Sequence, residues 1–285
     1  MIRNSVSPRN PSPQSDSTPQ LPGHILRYGD IELQTRPRED FVFYGTYIAG
    51  QYDALELQEG DIVLDAGANI GDYAIQASRR VGSSGIVLAV EPDPDLIPYI
   101  EHNLTRNGCH NVKVIQCALG TPGQARLERK SDGGTVANQV SRDGSGPLVT
   151  VRSIAEVLDG AGVETLSVLK LDIEGAEFEV LSGYTGLSGV RLVAVELHGH
   201  ENQIGVPQLL APYFDTWSLD TGRLWRSSAR RIAEHPIDFT LAELRSDFVA
   251  LKGVARWLRG KGSPVPSLNS EECSLVYGIN RRNST

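Results

Sequence analysis

The stretch Gly60 to Tyr73, G-D-I-V-L-D-A-G-A-N-I-G-D-Y, constrains the fold of this chain more than any other. Ile62 to Leu64 is a wholly apolar run, the pattern of a strand covered on both faces. Asp65 ends it, Gly67 and Gly71 bracket a turn, and a helix is predicted from about Gly71 to Val81. Glycine admits positive φ and lets backbone come close to a ligand. In open α/β sheets, ligands sit beyond the carboxyl ends of the strands, so the turn is a candidate binding loop.

Its spacing narrows the ligand. A dinucleotide needs its pyrophosphate cradled by G-x-G-x-x-G at a helix N-terminus. Here the glycines enclose Ala68, Asn69 and Ile70, and the Asp65 carboxylate would repel a pyrophosphate. That carboxylate suits the cationic end of S-adenosylmethionine, and the Asn69 amide can meet the amino-acid carboxylate. Glu91 follows the next apolar strand, Ile86 to Val90, where a carboxylate accepts from both ribose hydroxyls. The plainer use of Gly67 and Gly71 is close packing of strand on helix.

Strands and helices go on alternating, as a parallel sheet requires. Asp93-Pro94 predicts a helix start, with the helix running to about Asn107 and Gly108 ending it. Strands are predicted at Val112 to Ala118, Leu166 to Leu171, Leu192 to Leu197, Thr216 to Leu219 and Ser274 to Ile279, completing seven. Ser153 and Glu156 have the spacing of a capping box, a short helix is expected from Ala176 to Leu181 and another from Gln208 to Tyr213. Upstream, His24 to Thr35 reads as a hairpin about Gly29-Asp30. Phe41, Tyr44, Ile48, Tyr52 and Leu55 have helical spacing within Asp40 to Leu57, and their tyrosines can overhang a pocket. Four segments are expected: a disordered, Ser/Pro-rich tail over 1–22, a hairpin and helix over 23–60, a catalytic core over 61–221, and a C-terminal extension over 222–285 that returns the last strand.

Two further stretches carry acidic and imidazole groups. In Leu169 to Glu179, L-K-L-D-I-E-G-A-E-F-E, Asp172 ends a strand and Glu174 lies two residues on, on the same side if the chain is extended. Glu177 falls in the first turn of a helix, where an acidic residue favours the helix dipole. In V-A-V-E-L-H-G-H, Glu196 and His198 alternate with apolar residues and share a face, while His200 is expected at the surface. Histidine serves as a general base near neutral pH. Asp172, Glu174, Glu196 and His198 could instead hold a divalent metal, though the reading favoured here needs none.

Taken together, D-A-G-A-N-I-G at Asp65 to Gly71, V-E-P at Val90 to Pro92, A-L-G at Ala118 to Gly120, K-L-D-I-E-G-A-E at Lys170 to Glu177 and V-E-L-H at Val195 to His198 resemble the FkbM family of methyltransferases. The resemblance spans about Tyr44 to His198. It implies a Rossmann-like class I fold, a mostly parallel seven-stranded sheet with helices on both faces, and O-methylation of a sugar, glycolipid or natural product with S-adenosylmethionine as donor. By the same resemblance Asp65, Gly67, Asn69 and Gly71 would hold the methionine part, Glu91 the ribose and Ala118 the adenine, while Asp172 and Glu174 would face the transfer site. The residue types themselves suggest His198 or Asp172 as the catalytic base, assisted by Glu174. Ala155 stands where the family often has an acidic residue.

Composition removes other classes. Lys and Arg number 27 against 35 Asp and Glu, a net charge of −8, which disfavours broad nucleic-acid binding. The cluster Arg223, Arg226, Arg230 and Arg231 keeps an RNA methyltransferase in view, although a solvated face explains it as well. The three cysteines make neither a disulfide framework nor a zinc motif, and a cytoplasmic location is expected. An NAD-dependent oxidoreductase lacks its Tyr-x-x-x-Lys element, and a cofactor-binding scaffold without turnover would not need Asp172, Glu174 and His198. Thr240 with Glu243 resembles a helix start, followed by Leu241, Leu244, Phe248 and Leu251 on one face. That face is expected to pack on the domain, with weak contact to an anionic lipid surface as the alternative. Pocket walls are expected from the Gly133 to Gly146 loop and the C-terminal region; acceptor and oligomeric state have no signature.

Overall fold

The computed structural model of the chain describes residues 21–37, 39–129, 139–218, 221–258 and 273–283. The expected tail up to residue 20, and residues 130–138 of the Gly/Ser-rich loop, lie outside them. The first described element is an antiparallel hairpin, β1 (Ile25–Tyr28) and β2 (Ile31–Gln34), turned by Gly29 at φ 60°. A single turn, α1 (Phe41–Phe43), then widens into a π-helix over Tyr44–Ala49.

The helix predicted through Leu57 therefore stops at Ala49. Gly50 is left-handed and its N–H closes on the Gly45 carbonyl, which ends the helix. All six residues of the wide turn are buried. Two of their carbonyls, at Thr46 and Tyr47, accept from Arg231. Arg231 also pairs with Asp53, so it belongs to the interior and not to a basic surface.

The central layer follows: β3 (Ile62–Ala66), α2 (Asp72–Val81), β4 (Ile86–Val90), α3 (Ile97–Arg106) and β5 (Val112–Ile115). The α3 helix starts later than Asp93-Pro94 suggested. Asp93 makes a turn of its own, its side chain accepting from the Asp95 N–H, and the helix-initiating proline is Pro98. The strand expected to reach Ala118 breaks at Ile115. A turn from the Cys117 N–H to the Ile115 carbonyl redirects the chain into β6 (Ala118–Leu119), in a separate sheet with β7 (Gly123–Glu128), β8 (Gln139–Ser141) and β9 (Leu148–Arg152).

The second half adds α4 (Ile154–Ala161), β10 (Val168–Leu171), α5 (Glu177–Ser182), β11 (Leu192–His198), α6 (Gly199–Leu210), β12 (Phe214–Ser218), α7 (Thr221–Glu234), α8 (Pro236–Arg245), α9 (Val249–Leu258) and β13 (Cys273–Asn280). Ser153 and Glu156 form the expected capping box on α4, worth about 1 kcal/mol. The α6 helix begins well before Gln208 and carries His200 at the surface. Thr240 caps nothing: its hydroxyl returns to the Pro236 carbonyl within α8. Glu243 instead accepts from the Ala250 and Leu251 N–H groups, capping α9. The predicted single helix is broken there, with Asp247 and Phe248 at positive φ.

The main sheet has seven strands in the order β12-β13-β11-β10-β3-β4-β5. Only β13 runs antiparallel to its neighbours. This is the Rossmann-like, mostly parallel sheet that the resemblance implied. Side chains alternate across a strand, so Val63 enters the core on one face and Leu64 and Ala66 that on the other. The reversal of chain direction away from β3, to β4 on one side and to β10 on the other, leaves a crevice at their carboxyl ends. No helix among the described residues is long and apolar enough to cross a membrane.

Candidate active site

A cavity of about 500 Å³ opens at that crevice. Its walls include Gly67, Asn69, Glu91, Ala118, Asp172 and Glu174. The expectation for the walls is partly corrected. Gln139, Val140 and Ser141 contribute from the Gly/Ser-rich loop, but the C-terminal region gives no lining residue among those described. The N-terminal segment does so instead, through Phe41, Val42, Gln51 and Tyr52.

At one end the backbone does the positioning. Gly67 sits at φ 73°, and a Cβ there would fall 1.7 Å from the Asp172 carbonyl oxygen, so only glycine fits. The Gly67 and Ala68 N–H groups both donate to the Val90 carbonyl at 3.0 Å, drawing the turn over the end of β4. Asn69, also left-handed at φ 49°, donates its N–H to Glu91 Oε2, and Asp93 donates to Oε1, each at 2.9 Å. Glu91 is buried, and burial pushes its carboxyl up to about 8 against the pull of those two N–H groups. Each oxygen of an ionised carboxylate has a further lone pair to offer, which fits a ribose diol. Asn69 Oδ1 is buried without a partner, an acceptor able to take a hydrogen bond from a ligand. Ala118 borders the cavity beside Cys117 and Leu119, an apolar wall on which a base can lie.

Two predicted residues lie behind this wall. Gly71 is the left-handed N-cap of α2 and packs on Ile100. Asp65 is wholly buried beneath the turn. Its Oδ1 is 3.1 Å from Nζ of Lys170, and burial raises its carboxyl while that ammonium opposes the rise. Lys170 also donates to the Gly67 carbonyl at 2.7 Å, lies 3.8 Å from Asp172 Oδ2 and faces the Tyr52 ring at 5.4 Å. Burial works against its charge, but Asp65, Asp172 and Asp72 more than offset that and hold it protonated. Lys170 was visible only as part of a motif; a lysine within an apolar strand is itself the signal that it pairs with carboxylates.

The far end is built from side chains. Asp172 follows β10, and Glu174 takes a left-handed φ of 60° in the turn before α5. His198, the last residue of β11, faces them both. Its Nε2 lies 3.5 Å from Glu174 Oε2, 3.7 Å from Glu196 Oε1 and 3.9 Å from Asp172 Oδ1. Its Nδ1 is 2.8 Å from Oε1 of Glu177, which also accepts the Gly175 N–H. Glu177 is thus no mere helix-dipole residue. It is completely buried and orients the imidazole. Asn202 secures the same corner, accepting from the Phe178 N–H and donating to the carbonyls of Gly175 and His198. The buried Glu177 carboxylate accepts from Nδ1 and turns Nε2 toward the carboxylates of Asp172, Glu174 and Glu196.

The profile of the Methyltransferase FkbM domain matches residues 65–227. Hexuronic acid methyltransferase AglP of Haloferax volcanii is 29% identical over 172 residues, covering 58% of this chain and 69% of that protein. Methyltransferase sdnD of Sordaria araneosa is 28% identical over 176 residues, covering 50% of this chain and 68% of that protein. Among solved structures, a SAM-dependent O-methyltransferase from Thermotoga maritima overlays with a TM-score of 0.39 at 15% identity, over 87% of this chain and 66% of that one. That overlay is loose, and it is the strand order that carries the fold.

Proposed function

Because the chain belongs to the FkbM methyltransferase family, we propose that it methylates a hydroxyl group of a sugar, glycolipid or natural product. The family uses S-adenosylmethionine, which supplies a methyl group already activated on a sulfonium. The residues present fit that donor. Glu91 is buried with room for two hydroxyl donors, Asn69 has an unpartnered oxygen, and the acidic lining favours a cationic ligand. The same carboxylates disfavour a pyrophosphate, and Arg231 is spent on backbone carbonyls and Asp53, which weakens the dinucleotide and RNA alternatives.

The observation that carries O-methylation is the carboxylate pair Asp172 and Glu174 in the cavity wall, with His198 Nε2 3.9 and 3.5 Å from them and Glu177 holding its ring. A hydroxyl needs its proton removed as it attacks, and the enzyme must align it. His198 Nε2, with Asp172 and Glu174 beside it, forms the proton-accepting end. Tyr52 donates to Asp172 Oδ2 at 3.4 Å and closes the wall above it. A sugar hydroxyl as acceptor is further supported by the relative named for hexuronic acid. Turnover on a panel of glycans, lipids and small hydroxylated compounds tests the reading, with His198→Ala, Asp172→Ala and Glu174→Ala alongside. Strong loss in these variants with donor binding retained is expected; normal turnover in all three refutes the assignment.

A further inference from the structure

We propose that Asp172, Glu174 and His198 bind a divalent cation, with the Glu196 carboxylate beside them as a base. One ligand atom from each of the first three lies within 4.8 Å of the others. Their distances from Nε2, 3.5 to 3.9 Å, are too long for good hydrogen bonds. Neighbouring ligands around one ion with bonds of about 2.1 Å stand about 3.0–3.4 Å apart, so a small contraction brings these atoms to that spacing.

The second observation is the state of the imidazole. A metal-binding histidine characteristically gives its other N–H to a carboxylate, which fixes the ring and leaves the ligating nitrogen unprotonated. Glu177 does this at 2.8 Å, buried completely, and its Oε2 has no hydrogen-bond partner. Asp172 divides its oxygens in the same sense. Oδ2 faces Lys170 and Tyr52, while Oδ1 faces His198. Lys170 is shared with Asp65, so it does not neutralise the group of carboxylates around the ring. Mixed carboxylate and imidazole donors suit Mg²⁺, Mn²⁺ or Zn²⁺ better than a thiophilic ion.

This deepens the O-methylation reading and rests on it for its role. The cation takes the acceptor oxygen as a ligand and lowers its proton affinity. The proton passes to the Glu196 carboxylate, the oxygen forms its bond to the methyl carbon, and the broken C–S bond leaves its electron pair on sulfur. With the ion bound, His198 is a ligand in place of the proton acceptor described above, and Glu177 is its positioning residue.

The test is Mn²⁺ binding to the full chain, read from the loss of the free-ion paramagnetic resonance signal. Titration with S-adenosylhomocysteine by calorimetry runs in parallel. Wild type should take up one Mn²⁺, and His198→Ala and Glu174→Gln should each bind at least about tenfold more weakly, with Asp30→Asn on the far surface unchanged. Glu174→Gln keeps the inference testable if His198→Ala does not fold. No Mn²⁺ uptake by wild type, or equal uptake by both variants, overturns it. S-adenosylhomocysteine binding without Mn²⁺ uptake would sink the cation alone, whereas failure to bind S-adenosylhomocysteine would sink the methyltransferase pocket.

Discussion

The two ends of the cavity are built in different ways. Around Glu91, glycine and left-handed Asn69 place backbone N–H groups, and these hold that single carboxylate. Around His198, side chains from β11, the β10–α5 turn and α5 hold one another, with little backbone between them. A backbone cradle tolerates few changes in its own residues but little depends on its neighbours. A side-chain cluster loses its arrangement when any member is removed. The first end should therefore govern donor affinity, the second turnover.

The largest effect should come from His198→Ala. Turnover is expected to fall by about 10²–10⁴-fold, while affinity for S-adenosylhomocysteine stays within about twofold. A matching loss of affinity would erase the distinction between the ends. Gly67→Ala should break it deliberately, because its Cβ would strike the Asp172 carbonyl and so disturb both ends at once. Strain of about 1–3 kcal/mol or more is expected there, seen as a lower melting temperature together with weaker donor binding. Glu177→Gln sharpens the comparison: turnover should drop about 10–100-fold with the donor affinity unchanged.

The smallest effect is on pH. Folding raises the Glu91 carboxyl to about 8 from its ordinary 4.5, chiefly through burial. Between those values the native chain holds a proton that the unfolded chain has lost. This group's contribution to stability is thus fully present at low pH and lost as pH rises through about 8. If Glu91 holds the ribose as proposed, its hydroxyls donate to the ionised form and donor binding releases the proton. Affinity should climb by up to about tenfold per pH unit below that value and level off above it. Calorimetry in buffers of differing ionisation heat measures the proton released; no release at pH 7 would contradict this.

The same contrast explains what the sequence disclosed. Gly67 and Asn69 share the turn after β3 and Glu91 directly follows the neighbouring β4, so a linear motif captures their geometry. Asp172, Glu174 and His198 were placed for the same reason, each at or just beyond a strand tip. Glu177 was legible only as a helix-dipole residue because its partner comes from another strand. Asp65 was expected to touch the ligand, yet it lies behind Gly67 and meets Lys170, a pairing between neighbouring strands that no local pattern encodes. The wide turn at Tyr44–Ala49 and the break at Asp247 have tertiary causes too: Arg231 on the first, and Glu243 reaching forward to cap α9 in the second.

The most direct test is calorimetric titration of wild type and Glu91→Ala with S-adenosylhomocysteine. The account requires saturable one-to-one binding by wild type, at least about tenfold weaker in the variant. No saturable binding by wild type, or equal affinity in both proteins, would contradict it.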